Sequence, residues 1–291
     1  MTDLDEPAEG VRWRELLRDA QQRVGHQDGR YLVEEASGYE GAELLVHLDA
    51  GVTRRVLAHL DAMLARCEAG EPVQYVLGHW AFRTLDLAVD RRVLIPRPET
   101  EQVVDAALVE LDRRGGRDRP TVVVDLGTGS GAIGLAICVE RPRSTVWATD
   151  RSPEAAALAR ANVAGLGRAG TRVTVVEGSW FEALPSDLRG TIDLVVSNPP
   201  YVPLGAPLPS AVHDWEPHEA LFAGADGLDD LRAVLGGVGG WLAPGGAAVV
   251  ELDPRQVGPA TELATAAGLV EVAAGADLSG RTRWLRARRP A

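Results

Sequence analysis

The chain has no lysine: its 30 strongly basic residues are all arginine, against 42 acidic ones, and the formal net charge is −12. A protein that grips duplex nucleic acid shows a basic face, because phosphate contacts carry most of that affinity. Here the dense basic runs are confined to 113–119 and 281–289, which read as solvated surface. Cysteine is almost as scarce. Cys67 and Cys138 are too few and too scattered for a disulfide framework or a zinc site, and both are expected to be inert buried thiols. His26, His47 and His59 lack metal-ligand spacing, so no metal is expected. Long apolar runs are absent too, which excludes a membrane-spanning helix. The opening Asp3, Asp5 and Glu6 carry the wrong charge for a secretory signal. The expectation is a cytoplasmic, monomeric protein with neither membrane nor direct nucleic acid as partner.

What is present is ample apolar sequence in an ordinary proportion. With 291 residues the chain can bury one large core or two modest ones. Over 10–67, Trp13, Leu16, Leu17, Ala20 and Val24 keep helical spacing, as do Val56, Leu57, Leu60, Met63, Leu64 and Cys67. Gly38, Gly51 and Gly70 punctuate this region, so a small helical domain over 1–78 is expected. Alternation over 80–89 predicts a β-hairpin, placed in a linker over 79–95 ahead of a larger domain over 96–291. Pro96, Arg97, Pro98, Glu99, Thr100 and Glu101 suit the first turn of a helix running to about Leu111; a plain linker would also fit.

The larger domain alternates strands with helices. A β-branched strand over 121–126 runs into Gly127, Thr128, Gly129, Ser130 and Gly131, then a helix over 132–139. Glycines at a strand-to-helix turn let a ligand approach the backbone and aim helix N–H groups at it. A second strand over 145–149 ends at Asp150, about 20 residues past the glycines, where a carboxylate reaches a ribose hydroxyl pair. This is a nucleoside-binding half. Gly129, Gly131 and Gly134 also satisfy the dinucleotide pattern, so glycine spacing alone separates neither NAD nor S-adenosylmethionine. A helix over 153–164 and a strand over 173–177 follow; Trp180 then either stacks on an adenine ring or packs the core. Helices are expected over 228–242 and 260–267, a fifth strand over 247–252, and a final antiparallel pair over 270–273 and 282–287. The stretch 204–222 reads as a loop long enough to be a lid.

The fourth strand, 193–197, ends in Ser197, Asn198, Pro199, Pro200 and Tyr201. Two prolines supply no backbone N–H and hold the chain extended, so the carbonyls around them point outward. The Asn198 amide adds an acceptor and two donors. This rigid acceptor surface suits a planar NH2 group, whose lone pair is delocalised and whose nitrogen gains most from being held in place. The pattern looks like that of methyltransferases acting on planar nitrogen, and it offers nothing useful to hydride transfer.

Taken over nearly its full length, the sequence resembles the bacterial release factor glutamine methyltransferases, the HemK/PrmC-like family. The resemblance is carried by residues 71–78, 93–101, 125–131, Asp150, 197–201, 216–228 with Gly224, Asp226 and Gly227, and 277–280. It implies an α/β fold: a Rossmann-like class I methyltransferase with a seven-stranded mixed sheet, plus a small N-terminal all-α substrate-docking domain joined by a β-hairpin. It implies methyl transfer from S-adenosylmethionine to the side-chain nitrogen of the glutamine in the Gly-Gly-Gln loop of class 1 peptide chain release factors. On that basis Gly127, Thr128, Gly129, Ser130 and Gly131 cradle the methionine end, Asp150 binds the ribose and Trp180 lines the adenine site. Asn198 touches both cofactor and glutamine and, with the Pro199 carbonyl, is the catalytic pair; Pro199, Pro200 and Tyr201 shape the glutamine pocket. Two positions depart from the family's pattern: Ser179 stands where many relatives have Asp, and Asp253 replaces a Gly common after the fifth strand. The competing readings are a DNA adenine N6-methyltransferase, a non-catalytic nucleoside-binding or scaffold protein, and a nicotinamide oxidoreductase.

Overall fold

The computed structural model describes residues 6–291; Asp3 and Asp5 of the acidic opening, like the rest of 1–5, lie outside the described residues. The chain divides into two compact units. One runs to His79 and also takes in Pro209–Trp215; the other holds Trp80–Leu208 and Glu216–Ala291.

The smaller unit contains α1 (Trp13–Val24), α2 (His26–Ser37), α3 (Ala42–Val46), α4 (Arg54–Glu68) and α5 (Val73–Leu77). Its core joins Trp13 and Ala20 of α1 to Leu60, Met63 and Leu64 of α4, the residues whose spacing announced the helices. Beside the expected helices there is a short antiparallel pairing of β1 (Pro7–Arg12) with β2 (Gly51–Thr53). The Glu71 carboxylate is buried and takes both arms of the Arg66 guanidinium at 2.8 Å. The remaining Arg66 N–H groups reach the carbonyls of Tyr75 and Val76 at 3.0 and 3.2 Å. The 71–78 stretch is thus a staple that closes the end of this unit.

The larger unit begins with the hairpin of β3 (His79–Phe82) and β4 (Leu85–Ala88). Phe82, Leu85 and Leu87 are buried in one core with Val103 and Leu111 of α6 (Glu101–Arg113) and Leu135 of α7 (Ala132–Glu140). Arg83 at the hairpin tip donates to Glu140 at 2.5 and 2.9 Å and to Asp105 at 2.8 Å. The hairpin therefore belongs to this unit's core and is not a free-standing connector.

Seven strands form the main sheet: β5 (Thr121–Leu126), β6 (Ser144–Asp150), β7 (Val173–Glu177), β8 (Ile192–Ser197), β9 (Leu242–Glu251), β10 (Val270–Ala276) and β11 (Thr282–Arg288). Their order is β10-β11-β9-β8-β5-β6-β7, parallel from β9 through β7 with β11 antiparallel to both neighbours. This is the expected mixed sheet, and its order reverses at β5, where open α/β sheets leave a crevice. After α8 (Pro153–Gly165) and the short α9 (Ser210–His213), α10 (Asp229–Gly237) and α11 (Val257–Ala266) cover the face opposite α6 and α7. Fully burying one large aliphatic side chain contributes about 1.5–3 kcal/mol, so these two cores supply the scaffold's stiffness.

Two expectations change. The helix expected over 228–242 stops at Gly237, and Leu242 already opens β9. Gly236, Gly237, Gly239 and Gly240 make a continued helix costly, while Leu242 is buried opposite Ile192 in the sheet. The stretch 204–222 is not a bare loop. It contains α9 and a 3-10 turn, His218–Ala220, and its arms close where Val202 N–H donates to Leu221 and Ala223 N–H donates to Val202, both at 2.9 Å. Among the described residues no helix is long and apolar enough to cross a membrane.

Candidate active site

A cleft of about 900 Å³, counting the space at its mouth, opens at the C-terminal ends of β5, β6, β7 and β8. Gly127, Thr128, Gly129, Ser130, Asp150, Trp180, Asn198 and Pro200 all line it. Three residues named from sequence do not. Gly131 sits at the start of α7 with φ 90°, Pro199 is buried, and Tyr201 is half-buried outside the cleft lining.

The glycine turn is held by its own backbone and by two acids. Thr128 N–H donates to Thr149 at 2.9 Å, and Gly131 N–H donates to Thr128 at 2.8 Å. Beneath the turn, one oxygen of Asp125 accepts from the Thr128 hydroxyl at 2.6 Å and from Gly134 N–H at 2.9 Å. Burial pushes the Asp125 carboxyl up to about 6. Asp150 accepts from Gly129 N–H at 2.8 Å and from Ser152 N–H at 3.0 Å. Burial raises its pKa, yet each oxygen keeps a lone pair for a ligand hydroxyl. From α8, Asn162 bridges the carbonyls of Ser130 at 2.8 Å and Ala88 at 3.1 Å, locking the turn to the hairpin.

Trp180 forms the wall beside the turn. Its φ of 45° is unusual for a bulky residue, and its ring lies so close to Gly127 that a Cβ there would sit 3.2 Å from it. The same side chain packs on the core under α10, so it is at once a wall of the cleft and a packing residue. Ser179 also lines the cleft.

The opposite wall is made of side chains from distant segments. Ser197 donates its hydroxyl to the Leu126 carbonyl at 2.7 Å, tying the end of β8 to the start of the glycine turn. Asn198 follows directly and donates from Nδ2 to the Thr100 hydroxyl oxygen at 3.4 Å; Thr100 donates to Glu251 at 2.7 Å. Burial pushes the Glu251 carboxyl up to about 7 despite the hydrogen bond from Thr100 and the nearby Arg283 and Tyr201. The Tyr201 hydroxyl is raised as well, first by burial and then by the neighbouring Glu251.

The backbone of this wall is clamped. Gln256 donates to the carbonyls of Tyr201 at 2.9 Å and Gly227 at 2.8 Å. A Cβ at Gly227, φ 76°, would fall 2.5 Å from the Tyr201 oxygen, so only glycine fits there. Asp253 accepts from Arg255 N–H at 2.9 Å, and its own N–H donates to Gln256 at 3.1 Å, a capping box that orients the clamp. The departure at Asp253 therefore has a structural use. A second clamp is Glu216, whose carboxylate is 1% exposed; it pairs with Arg97 and accepts from Ile95 N–H at 3.1 Å. This pairing accounts for the Pro-Arg-Pro stretch and holds Pro217, Glu219 and Ala220 at the cleft, where Arg151 also donates to the Glu219 carbonyl at 2.8 Å.

Thr100, Glu251, Gln256 and Glu216 were not anticipated as parts of the site. Glu251 left one trace, a carboxylate closing an otherwise apolar strand, since a buried charge demands partners.

The chain matches the family model described as PrmC N-terminal domain over residues 11–78 and the one described as Methyltransferase small domain over 107–213. It is 40% identical over 269 residues to the release factor glutamine methyltransferase of Xylella fastidiosa strain 9a5c, covering 92% of this chain and 94% of that one. It is 39% identical over 287 residues to the protein of the same name from Deinococcus radiodurans, covering 95% and 98%. Among solved structures, a methyltransferase from Pyrococcus furiosus aligns with a TM-score of 0.51 at 16% identity, over 79% of this chain and all of that one, a likeness of fold. With the two-unit architecture, the cleft at the sheet reversal and identity of this extent over nearly the whole chain, the protein belongs to the release factor glutamine methyltransferase family.

Proposed function

We propose that the chain transfers a methyl group from S-adenosylmethionine to the side-chain amide nitrogen (N5) of the glutamine in the Gly-Gly-Gln motif of class 1 peptide chain release factors. The observation that carries this reading is that Asn198 and Pro200 line the same cleft as Gly127, Thr128, Gly129, Ser130 and Asp150. The residues fit the cofactor: a glycine turn next to an aromatic wall, and a buried carboxylate with free lone pairs for a ribose. When bound, S-adenosylmethionine supplies an electrophilic methyl carbon on a positively charged sulfur. In this reading the glycine turn cradles the methionine end, Asp150 takes the ribose and Trp180 lines the adenine site. The Asn198 side-chain oxygen accepts an N–H of the glutamine amide, fixing a weak nucleophile with one face free. Positioning of this kind supplies about 7–11 kcal/mol in well-oriented systems. The proton lost from nitrogen passes to solvent.

The helical unit over 1–78 docks the release factor in this reading, and the protein works as a cytoplasmic monomer without direct contact to nucleic acid. The net charge of −12 supports a protein substrate over a duplex. The test is mass spectrometry of a release factor incubated with this protein and S-adenosylmethionine. One added methyl on the Gly-Gly-Gln glutamine is expected; a release factor left unmodified while the cofactor binds overturns the proposal.

A further inference from the structure

A side-chain amide has two ends of opposite character, and only one of them suits a glutamine N–H. An Asn198 that turned its NH2 into the cleft would set donor against donor and leave both unpaired. The fold decides the orientation through a chain of hydrogen bonds. An ionised Glu251 only accepts, so the single proton of the Thr100 hydroxyl goes to it at 2.7 Å. The Thr100 oxygen can then only accept from Asn198, which presents Nδ2 to it at 3.4 Å and keeps its oxygen for the cleft. Thr100 is 4% exposed and Glu251 2%, so water does not compete for these bonds. Tyr201 is close enough to the same carboxylate to favour its ionised form.

We propose that Thr100 and Glu251 are positioning residues that set the hydrogen-bond polarity of Asn198, so that its carbonyl oxygen faces the acceptor nitrogen. This rests on the reading of Asn198 as the acceptor of a glutamine N–H. A protonated Glu251 donates to Thr100, frees the Thr100 proton to point at Asn198, and reverses the amide. Besides Thr100 and Tyr201, the charged groups felt by Glu251 are Arg283, which favours the ionised form, and Glu99, which opposes it; burial outweighs Thr100, Tyr201 and Arg283 and brings the carboxyl to about 7.

The test compares the unaltered chain with Thr100→Val, which keeps the shape and removes the hydroxyl, and Thr100→Ser, which restores it. Thr100→Val is expected to lower kcat roughly tenfold to a hundredfold at unchanged cofactor affinity, and Thr100→Ser to recover most of the loss. In the unaltered chain kcat should fall as pH drops through about 7, and the residual activity of Thr100→Val should lack that acid limb. Activity of Thr100→Val equal to the unaltered chain overturns the relay while leaving the proposed function intact. Failure of the unaltered chain to methylate the glutamine overturns the reading beneath it and the relay with it. Should Thr100→Val not fold, Thr100→Ser and the pH profile of the unaltered chain still decide: a kcat indifferent to pH around 7 contradicts the relay.

Discussion

The two walls of the cleft are built in opposite ways. The glycine turn is local: one strand, five loop residues and the next strand's terminal Asp150 are joined through backbone N–H groups, with Asp125 pinned beneath. The Asn198 wall is assembled across the sequence, from Thr100, Gly227, Glu251 and Gln256, each more than 25 residues from Asn198 in the chain. In the proposed function the turn and the Asp150 carboxylate set what binds. A wall made of converging side chains is specified residue by residue, and in the proposed function it decides what reacts. Substitutions on the two sides should therefore separate binding from rate.

The largest effect is expected at Asn198. Asn198→Ala should lower kcat by roughly 100-fold to 1000-fold, the scale seen when a pre-organised polar contact to the reacting group is lost, with cofactor affinity nearly unchanged by titration calorimetry. On the other wall, Asp150→Ala should weaken cofactor binding about tenfold to a hundredfold, since a hydrogen bond to a charged group contributes ~1.5–3 kcal/mol, with kcat at saturating cofactor much less affected. A pH series sharpens the same contrast through stability. The Glu251 carboxyl is raised from 4.5 to about 7 in the fold, so the stability that goes with its proton is complete below 4.5 and lost as pH rises through about 7. Denaturant midpoints of Glu251→Gln should lose that decline. The separate decline from Asp125, raised from 3.8 to about 6, should remain. The smallest effect is expected at the cap: Asp253→Ala should cost about 0.5–2 kcal/mol of stability by thermal melting and only a few-fold in kcat, because the Gln256 clamp is loosened and not removed.

This contrast also explains what could be read from the sequence. The strand at 121–126, the glycines after it and Asp150 sit within one short stretch, where spacing maps directly onto geometry. The Asn-Pro-Pro-Tyr segment announced itself through the rigidity of its prolines, and its Asn198 and Pro200 line the cleft. Its supports did not, because a threonine behind a helix start and a glutamine behind a strand end look ordinary until the sheet brings them to Asn198. The Pro96–Glu101 stretch reads from sequence as a helix start or a plain linker. Its reason, the buried Glu216 that grips Ile95 and Arg97, lies about 120 residues away in the chain, beyond any periodicity. The glycine-rich end of α10 was misread because a strand register, set by Ile192 opposite Leu242, overrides local helical spacing.

The claim that one wall binds while the other positions is tested most directly by single-turnover methyl transfer to a release factor at saturating cofactor, with Asn198→Ala and Asp150→Ala measured side by side. The account expects the transfer rate to collapse in Asn198→Ala and to stay near that of the unaltered chain in Asp150→Ala. Equal losses in both, or a near-normal rate in Asn198→Ala, would contradict it.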